Sequence, residues 1–135
     1  NAKPAKSAGW SSRNMGILGL IILIFIIIHL KSFWFEMKFG SIPFVEYDGH
    51  KVKDLYTIVF EAFKSPIYVL FYLVSLGAIA FHLLHGVQSA FRSLGLVHSK
   101  FTPIIKVLGY LFAIAVPLGF AIQPIFVYLK ASGTL

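Results

Sequence analysis

The chain has 135 residues, which is enough for one domain. Hydrophobic residues make up 58% of it and charged residues only 13%, which excludes an ordinary soluble globular domain. It has no cysteine, so disulfides, iron–sulfur ligation and thiol chemistry cannot come from this chain. The formal net charge is +7, and the charged side chains lie at the ends of apolar runs. This distribution is typical of residues that orient a membrane protein, and it predicts no nucleic-acid partner.

Three apolar segments are long enough to cross a bilayer, which takes about 20 residues of helix. The first extends over about residues 12–35 and the second over about 66–92. The third extends over about 107–129 and contains no charged side chain. These segments predict an all-α membrane protein with three transmembrane helices and lipid around them.

The connection between the first two spans contains a further predicted helix. Asp54 is suited to cap a helix over about residues 54–64, whose apolar stripe predicts that it lies on the outer membrane surface. Phe33, Trp34 and Phe35 end the first span and are typical of the aromatic belt at a membrane interface.

Charged residues predict the orientation. All five acidic residues lie in the connection between the first two spans. The charged residues before the first span and between the second and third are all basic: Lys3, Lys6, Arg13, Arg92, Lys100 and Lys106. Positive charge is retained in the cytoplasm. We therefore expect the N-terminus and the 92–106 loop inside, and the 36–64 connection and the C-terminus outside.

Three of the five histidines lie within spans, where ionisable groups are costly and usually functional. His29 lies about 25 Å of helix rise from the inner end of its span, and His82 about 24 Å from the outer end of its own. In a core of about 30 Å the two are near opposite faces, too far apart to bind one metal together. They predict two separate sites, such as two haem irons, or histidines that only bond neighbouring helices. His50 and His98 lie in loops and are expected to be solvated.

Small residues share the helix face of His82: Ser75, Ala78, Gly86 and Ser89. Such a stripe lets a planar macrocycle approach closely, although small residues also pack membrane helices together. His85, one turn on, lies at the edge of this face. It is a candidate partner of a haem propionate or a quinone, or an alternative ligand.

The stretch FHLLHGVQSAFRSLGL, residues 81–96, resembles the fourth helix of the five-helix, b558-type cytochrome b subunits of succinate dehydrogenase and fumarate reductase. The end of the first span, IFIIIHLKSFW, is similar to the third helix of that family. The stretches DLYTIVFEAFKSPIYV and HSKFTPIIKVLGY are similar to the lead-ins to its fourth and fifth helices. The chain therefore resembles helices three to five of a five-helix, di-haem bundle.

This resemblance implies two b haems, with His82 as a ligand of the proximal haem and His29 as a ligand of the distal haem. In the family each haem takes its second histidine from helix one or two, and both helices are absent from this sequence. The start at Asn1 and the polar residues 1–11, which resemble the family's loop between helices two and three, favour a partial chain. The alternative is that another polypeptide supplies those helices.

The resemblance also implies the reaction and the partners. The chain would be the non-catalytic membrane anchor of succinate:quinone oxidoreductase (respiratory complex II) in a bacterial inner membrane. It would carry electrons from the flavoprotein and iron–sulfur subunits through both haems to a quinone. The candidates for contact with a haem edge or propionate are His85, Ser89 and Arg92. The candidates for a quinone hydrogen bond are Ser11, Ser12 and Arg13, although a helix N-terminus favours such residues anyway.

Two other interpretations remain open. The cytochrome b anchor of a hydrogenase or formate dehydrogenase also spreads histidines over several membrane helices, with a different soluble partner. A non-redox membrane subunit would use them for packing or proton transfer. The one-haem, three-helix anchors of mitochondrial-type enzymes fit less well, because His29 and His82 lie at opposite depths.

Overall fold

The computed structural model describes residues 13–93, 95 and 102–135. It contains three helices that are long and apolar enough to cross a membrane: Met15–Phe39, Pro66–Phe91 and Thr102–Ala131. The prediction of an all-α membrane protein with three transmembrane helices is therefore confirmed at the level of length and composition. Their outward surfaces are apolar: Ile17, Ile67 and Leu118 are 61%, 78% and 60% exposed. Soluble proteins rarely present so much continuous apolar surface, so lipid is its natural surrounding.

The first span changes helix type along its length. It consists of α1 (Met15–His29), a π-helical turn (Leu30–Phe35) and α2 (Glu36–Phe39). It therefore ends four residues later than the predicted boundary at Phe35. The wider π-helical turn begins directly after His29, and such turns are often found at functional sites.

A β-hairpin follows the first span and was not predicted from the sequence. Strands β1 (Phe44–Tyr47) and β2 (His50–Lys53) pair antiparallel. The turn between them places Asp48 at φ 52° and Gly49 at φ 76°, which is the Asp-Gly signature of a type I′ hairpin. The Lys53 ammonium donates to the carbonyl of Met37, so the hairpin is tied to the end of the first span.

The helix predicted between the first two spans is present as α3 (Leu55–Phe63), within one residue of each expected end. Asp54 caps it, because the Thr57 N–H donates to the Asp54 carboxylate at 3.1 Å. The backbone N–H of Asp54 in turn donates to the carbonyl of Pro43 at 3.0 Å, which joins the cap to the hairpin. Phe63, the last residue of α3, is buried against the long helices.

Helix α4 (Pro66–Ser93) packs against both other long helices. Helix α5 (Thr102–Ala131) begins five residues before the predicted boundary at Val107. The reason is local: Pro103 follows Thr102 directly, and proline is favoured in the first turn because its missing N–H costs nothing there. The two helices approach closely where Gly109 faces Val87.

The core lies at one end of the bundle. Phe63, Val69 and Tyr72 are buried together, and side chains from all three long helices and α3 pack around them. Because α3 and the start of α4 supply this core, it lies at the end of the bundle nearest the hairpin. Phe33 belongs to this aromatic cluster, whereas Trp34 and Phe35 are exposed, and the interfacial belt of all three stays a prediction.

The Gly109–Val87 contact predicts a sharp effect of one methyl group. A Cβ at Gly109 would lie 2.3 Å from Val87 Cγ1, and the β-branched valine cannot easily turn away. We expect Gly109→Ala to destabilise the bundle by about 1–3 kcal/mol, the usual cost of overpacking. Thermal unfolding in detergent measures this. Adding Val87→Ala should restore the stability lost in Gly109→Ala. Gly119→Ala is the control, because a Cβ at Gly119 would meet no atom within 4 Å. Equal effects at both glycines would contradict the close approach.

The cap of α3 predicts a pH dependence. Hydrogen bonds from Thr57 hold the pKa of Asp54 below its ordinary value. A lowered pKa in the folded state stabilises the fold above the ordinary value of about 3.9, and this stabilisation is lost as the pH falls through the lowered pKa. We expect acidification below about pH 4 to loosen α3 in the wild type and to change Asp54→Asn less. Hydrogen exchange at α3 measures the difference, and identical acid profiles would refute the cap's contribution.

Candidate functional site

His29 is the last residue of α1 and lies against α4. Its Nδ1 is 3.0 Å from the hydroxyl of Tyr72, which is a side chain–side chain hydrogen bond between two spans. The imidazole also packs against Phe25 and Phe33 of its own span, with ring centroids 5.7 and 5.3 Å away. His29 is itself exposed on its remaining side. One edge of the ring is therefore fixed by protein, and the rest is open at the bundle surface.

The hydrogen bond of His29 is the first in a chain of four side chains. The hydroxyls of Tyr72 and Tyr68 are 3.4 Å apart, and the Tyr68 hydroxyl donates to Ser32 Oγ at 2.9 Å. Ser32 lies three residues after His29, and Tyr68 lies four residues before Tyr72, so the pairs meet across two helices that run in opposite directions. The polar groups of these four side chains thus satisfy one another's hydrogen-bonding capacity within an apolar environment.

Aromatic rings hold Tyr72 in place. Phe25 and Phe63 meet its ring edge to face, at 5.0 Å and 81° and at 4.8 Å and 89°. Tyr68 packs on it at 5.0 Å. Edge-to-face contacts are the preferred geometry of aromatic pairs, so the direction of the Tyr72 hydroxyl is set by its neighbours.

A cavity of about 170 Å³ lies beside His29, lined mainly by aromatic side chains together with Tyr72, Gln123 and Pro124. Pro124 has no N–H, so the carbonyl of Phe120, another lining residue, lacks its usual helical donor. Neither Tyr72 nor Gln123 was predicted from the sequence as a site residue. The signal for Gln123 was its position as a strongly polar side chain inside the otherwise apolar third span.

His82 lies elsewhere in α4. It is ten residues beyond Tyr72, which is about 15 Å of helix rise, so the structure does not bring His82 and His29 together. Its Nδ1 is buried and has no hydrogen-bond partner among the described residues. Leaving such an atom unpaired costs about 1–3 kcal/mol, which is unusual for a histidine that serves only packing. Within the described ranges no group of three or more His, Asp and Glu side chains could hold a metal ion.

The small-residue stripe of α4 is divided between two environments. Ser75 and Ala78 are buried, and the Ser75 hydroxyl donates to the carbonyl of Phe71 at 2.8 Å. A Cβ at Gly86 would meet no atom within 4 Å, and Ser89 is exposed. The half of the stripe on the Tyr72 side of His82 therefore serves helix packing, and the other half is open.

The remaining candidate residues are placed only in part. His85 is half-buried in α4, and Arg13 is exposed at the start of the described chain. Arg92 lies in α4, but its side chain is outside the described part of the structure, and so are Ser11 and Ser12. Their assigned contacts with haem or quinone stay predictions.

No family model, curated protein or solved structure matches the chain. The structure therefore shows three helices long and apolar enough to span a membrane, with a short capped helix between the first two. The functional assignment depends on the resemblance of its sequence stretches and on the chemistry of its histidines.

The donor chemistry of both histidines fits a b haem. Imidazole is a usual axial ligand of haem iron, and a metal-bound imidazole normally donates its other ring N–H to a protein partner. His29 has such a partner in Tyr72. His82 has one ring nitrogen sealed in protein and an imidazole that is only half-buried. The 170 Å³ cavity is below the about 300–1,000 Å³ of ordinary ligand pockets, so further helices would have to complete either site.

Proposed function

We propose that this protein is the membrane anchor of a succinate:quinone oxidoreductase, of the succinate dehydrogenase or fumarate reductase type. It is a non-catalytic subunit that binds two b haems and links the soluble flavoprotein and iron–sulfur subunits to a membrane quinone. His82 supplies one ligand of the haem nearer the soluble subunits, and His29 one ligand of the other haem. The second ligand of each haem comes from helices outside this sequence.

The observation that carries the proposal is the separation of two intramembrane histidines, each with one side held by protein. Tyr72 contacts His29, and Tyr72 and His82 are about 15 Å apart along α4. Ionisable side chains at such depths are costly and usually functional. Two imidazole sites at different depths suit electron transfer across the bilayer better than a single metal centre.

Haem bound at these positions supplies reversible one-electron transfer, and the chain supplies its environment. His29 and His82 are the axial donors. Phe25, Phe33 and Phe63 keep water from the His29 side, which lowers the local dielectric. His85 and Ser89 lie on or beside the open part of the small-residue stripe, where they are suited to a haem edge or propionate.

Haem counting tests the proposal directly. We expect the dithionite-reduced minus oxidised spectrum of the complex purified from its own membrane to contain two b haems per copy of this chain. His29→Ala should remove one haem and His82→Ala the other, because each substitution deletes an axial donor. His50→Ala, in the exposed hairpin, is the matched control and should retain both. Absence of haem would refute the cytochrome assignment in favour of a non-redox subunit.

Co-purification distinguishes the cytochrome alternatives. A flavoprotein with succinate dehydrogenase or fumarate reductase activity should purify with the haem-containing chain. A hydrogenase or formate dehydrogenase partner would keep the cytochrome assignment and overturn the proposed complex. One haem per chain, lost in only one histidine variant, would favour a one-haem anchor.

The proposal includes the bacterial inner membrane and an orientation. The 36–64 connection faces outside and the 92–106 loop faces the cytoplasm, where the iron–sulfur subunit binds. Since the chain has no cysteine, single cysteines report this without background. We expect a membrane-impermeant thiol reagent to label Lys51→Cys from outside intact cells and Ser99→Cys only from the cytoplasmic side. Leu23→Cys, within the first span, should resist labelling from both sides. The reverse pattern would contradict the orientation.

A further inference from the structure

The hydrogen-bond chain from His29 to Ser32 has a direction. We propose that Tyr72, Tyr68 and Ser32 together fix His29 in the tautomer that carries its proton on Nδ1, which leaves the Nε2 lone pair free for a metal. These three are positioning residues. The tautomer depends only on side chains of this protein. The role of His29 in metal binding, by contrast, rests on the proposed function.

The direction follows from counting protons. Each tyrosine and serine hydroxyl has one proton to donate, and a neutral imidazole has one N–H. The Tyr68 hydroxyl donates its proton to Ser32 Oγ at 2.9 Å. Tyr68 can then take part in its 3.4 Å contact with Tyr72 only as the acceptor. Tyr72 therefore donates to Tyr68.

The same count decides the state of His29. With its single proton directed at Tyr68, the Tyr72 hydroxyl can meet His29 only as an acceptor, over the 3.0 Å to Nδ1. The Nδ1 atom must then carry the imidazole proton. With the Tyr68 proton directed at Ser32, the opposite tautomer would make Tyr72 donate to His29, and no proton would remain for the contact between the Tyr72 and Tyr68 oxygens. Because the Tyr68 hydroxyl donates to Ser32, each of the three contacts has its own proton only when all the bonds point from His29 to Ser32.

The surroundings make this choice strict. In water an unpaired hydroxyl or ring nitrogen finds a solvent partner, but in an apolar, low-dielectric setting it does not. Tyr72 is buried, and rings of Phe25 and Phe63 prevent its hydroxyl from swinging to another partner. The π-helical turn begins immediately after His29 and contains Ser32, so both ends of the hydrogen-bond chain are placed by one segment of the first span.

For metal binding, this tautomer leaves Nε2 of His29 ready to act as a ligand. A free Nε2 lone pair is what haem iron requires, and an acceptor on Nδ1–H raises the basicity of the ligand. Loss of such an outer partner typically weakens metal affinity about 10–100-fold. The more basic imidazole favours ferric over ferrous iron, so removing the acceptor should raise the midpoint potential of the haem at His29.

Solid-state NMR of the ¹⁵N,¹³C-histidine-labelled protein in lipid bilayers measures the tautomer, with His29 assigned by difference from His29→Gln. The test uses protein prepared without haem, and in parallel the haem-containing complex. We expect Nδ1–H in the wild type. Tyr68→Phe and Ser32→Ala should each shift His29 toward Nε2–H, because either change frees Tyr72 to donate to His29. A packing role would not produce this reversal.

Tyr72→Phe and Tyr128→Phe form a matched pair. Both tyrosines pack in the same aromatic cluster, and Tyr128 is not a member of the hydrogen-bond chain. We expect Tyr72→Phe alone to weaken retention of the His29 haem about 10–100-fold and to raise its midpoint potential, with the His82 haem unchanged as an internal reference. Unaltered haem properties in Tyr72→Phe would refute the positioning role.

The outcomes separate the two proposals. An Nε2–H tautomer in the wild type, or no response to Tyr68→Phe and Ser32→Ala, would overturn the directional chain even if haem is present. Absence of haem together with the expected tautomer would refute the proposed function and leave the directional chain intact.

Discussion

The structure depends on the absence of water in the bilayer. A polar group within a span must find its partner in the protein, because lipid offers none. His29, Tyr72, Tyr68 and Ser32 meet this requirement with one another, and Ser75 meets it through the carbonyl of Phe71. The positions of these partners fix how the first two spans face each other, since apolar contact alone tolerates rotation and sliding.

This requirement divides the bundle into two unlike halves. At the end nearest the hairpin, the hydrogen-bonded side chains lie against the aromatic cluster around Tyr72, to which α3 contributes Phe63. At His82 the imidazole is half-buried, and its enclosed Nδ1 has no hydrogen-bond partner among the described residues. The polar groups around His29 are therefore satisfied by one another, whereas the described residues leave a buried nitrogen of His82 without a partner.

The sequence allowed prediction of the three spans and of the short capped helix α3, because hydropathy and capping are local properties. It did not predict the His29–Tyr72 bond. The first span is apolar on all sides, so its pattern does not say which face meets α4 or that Phe33 belongs to the aromatic cluster. The hairpin was overlooked for another reason: its Asp48–Gly49 turn signal was present, but the strands are short and exposed.

The directional chain also bears on what His29 is for. A histidine that only packs needs one hydrogen bond, and a neighbouring carbonyl would provide it. Here two tyrosines of the aromatic cluster and the half-buried Ser32 are joined to His29, where hydrocarbon side chains of similar size would avoid the cost of desolvation. These groups add no further contact to His29; they determine which of its two ring nitrogens carries the proton. That property is useful to a residue whose other nitrogen must act as a donor, and it serves no purpose in packing.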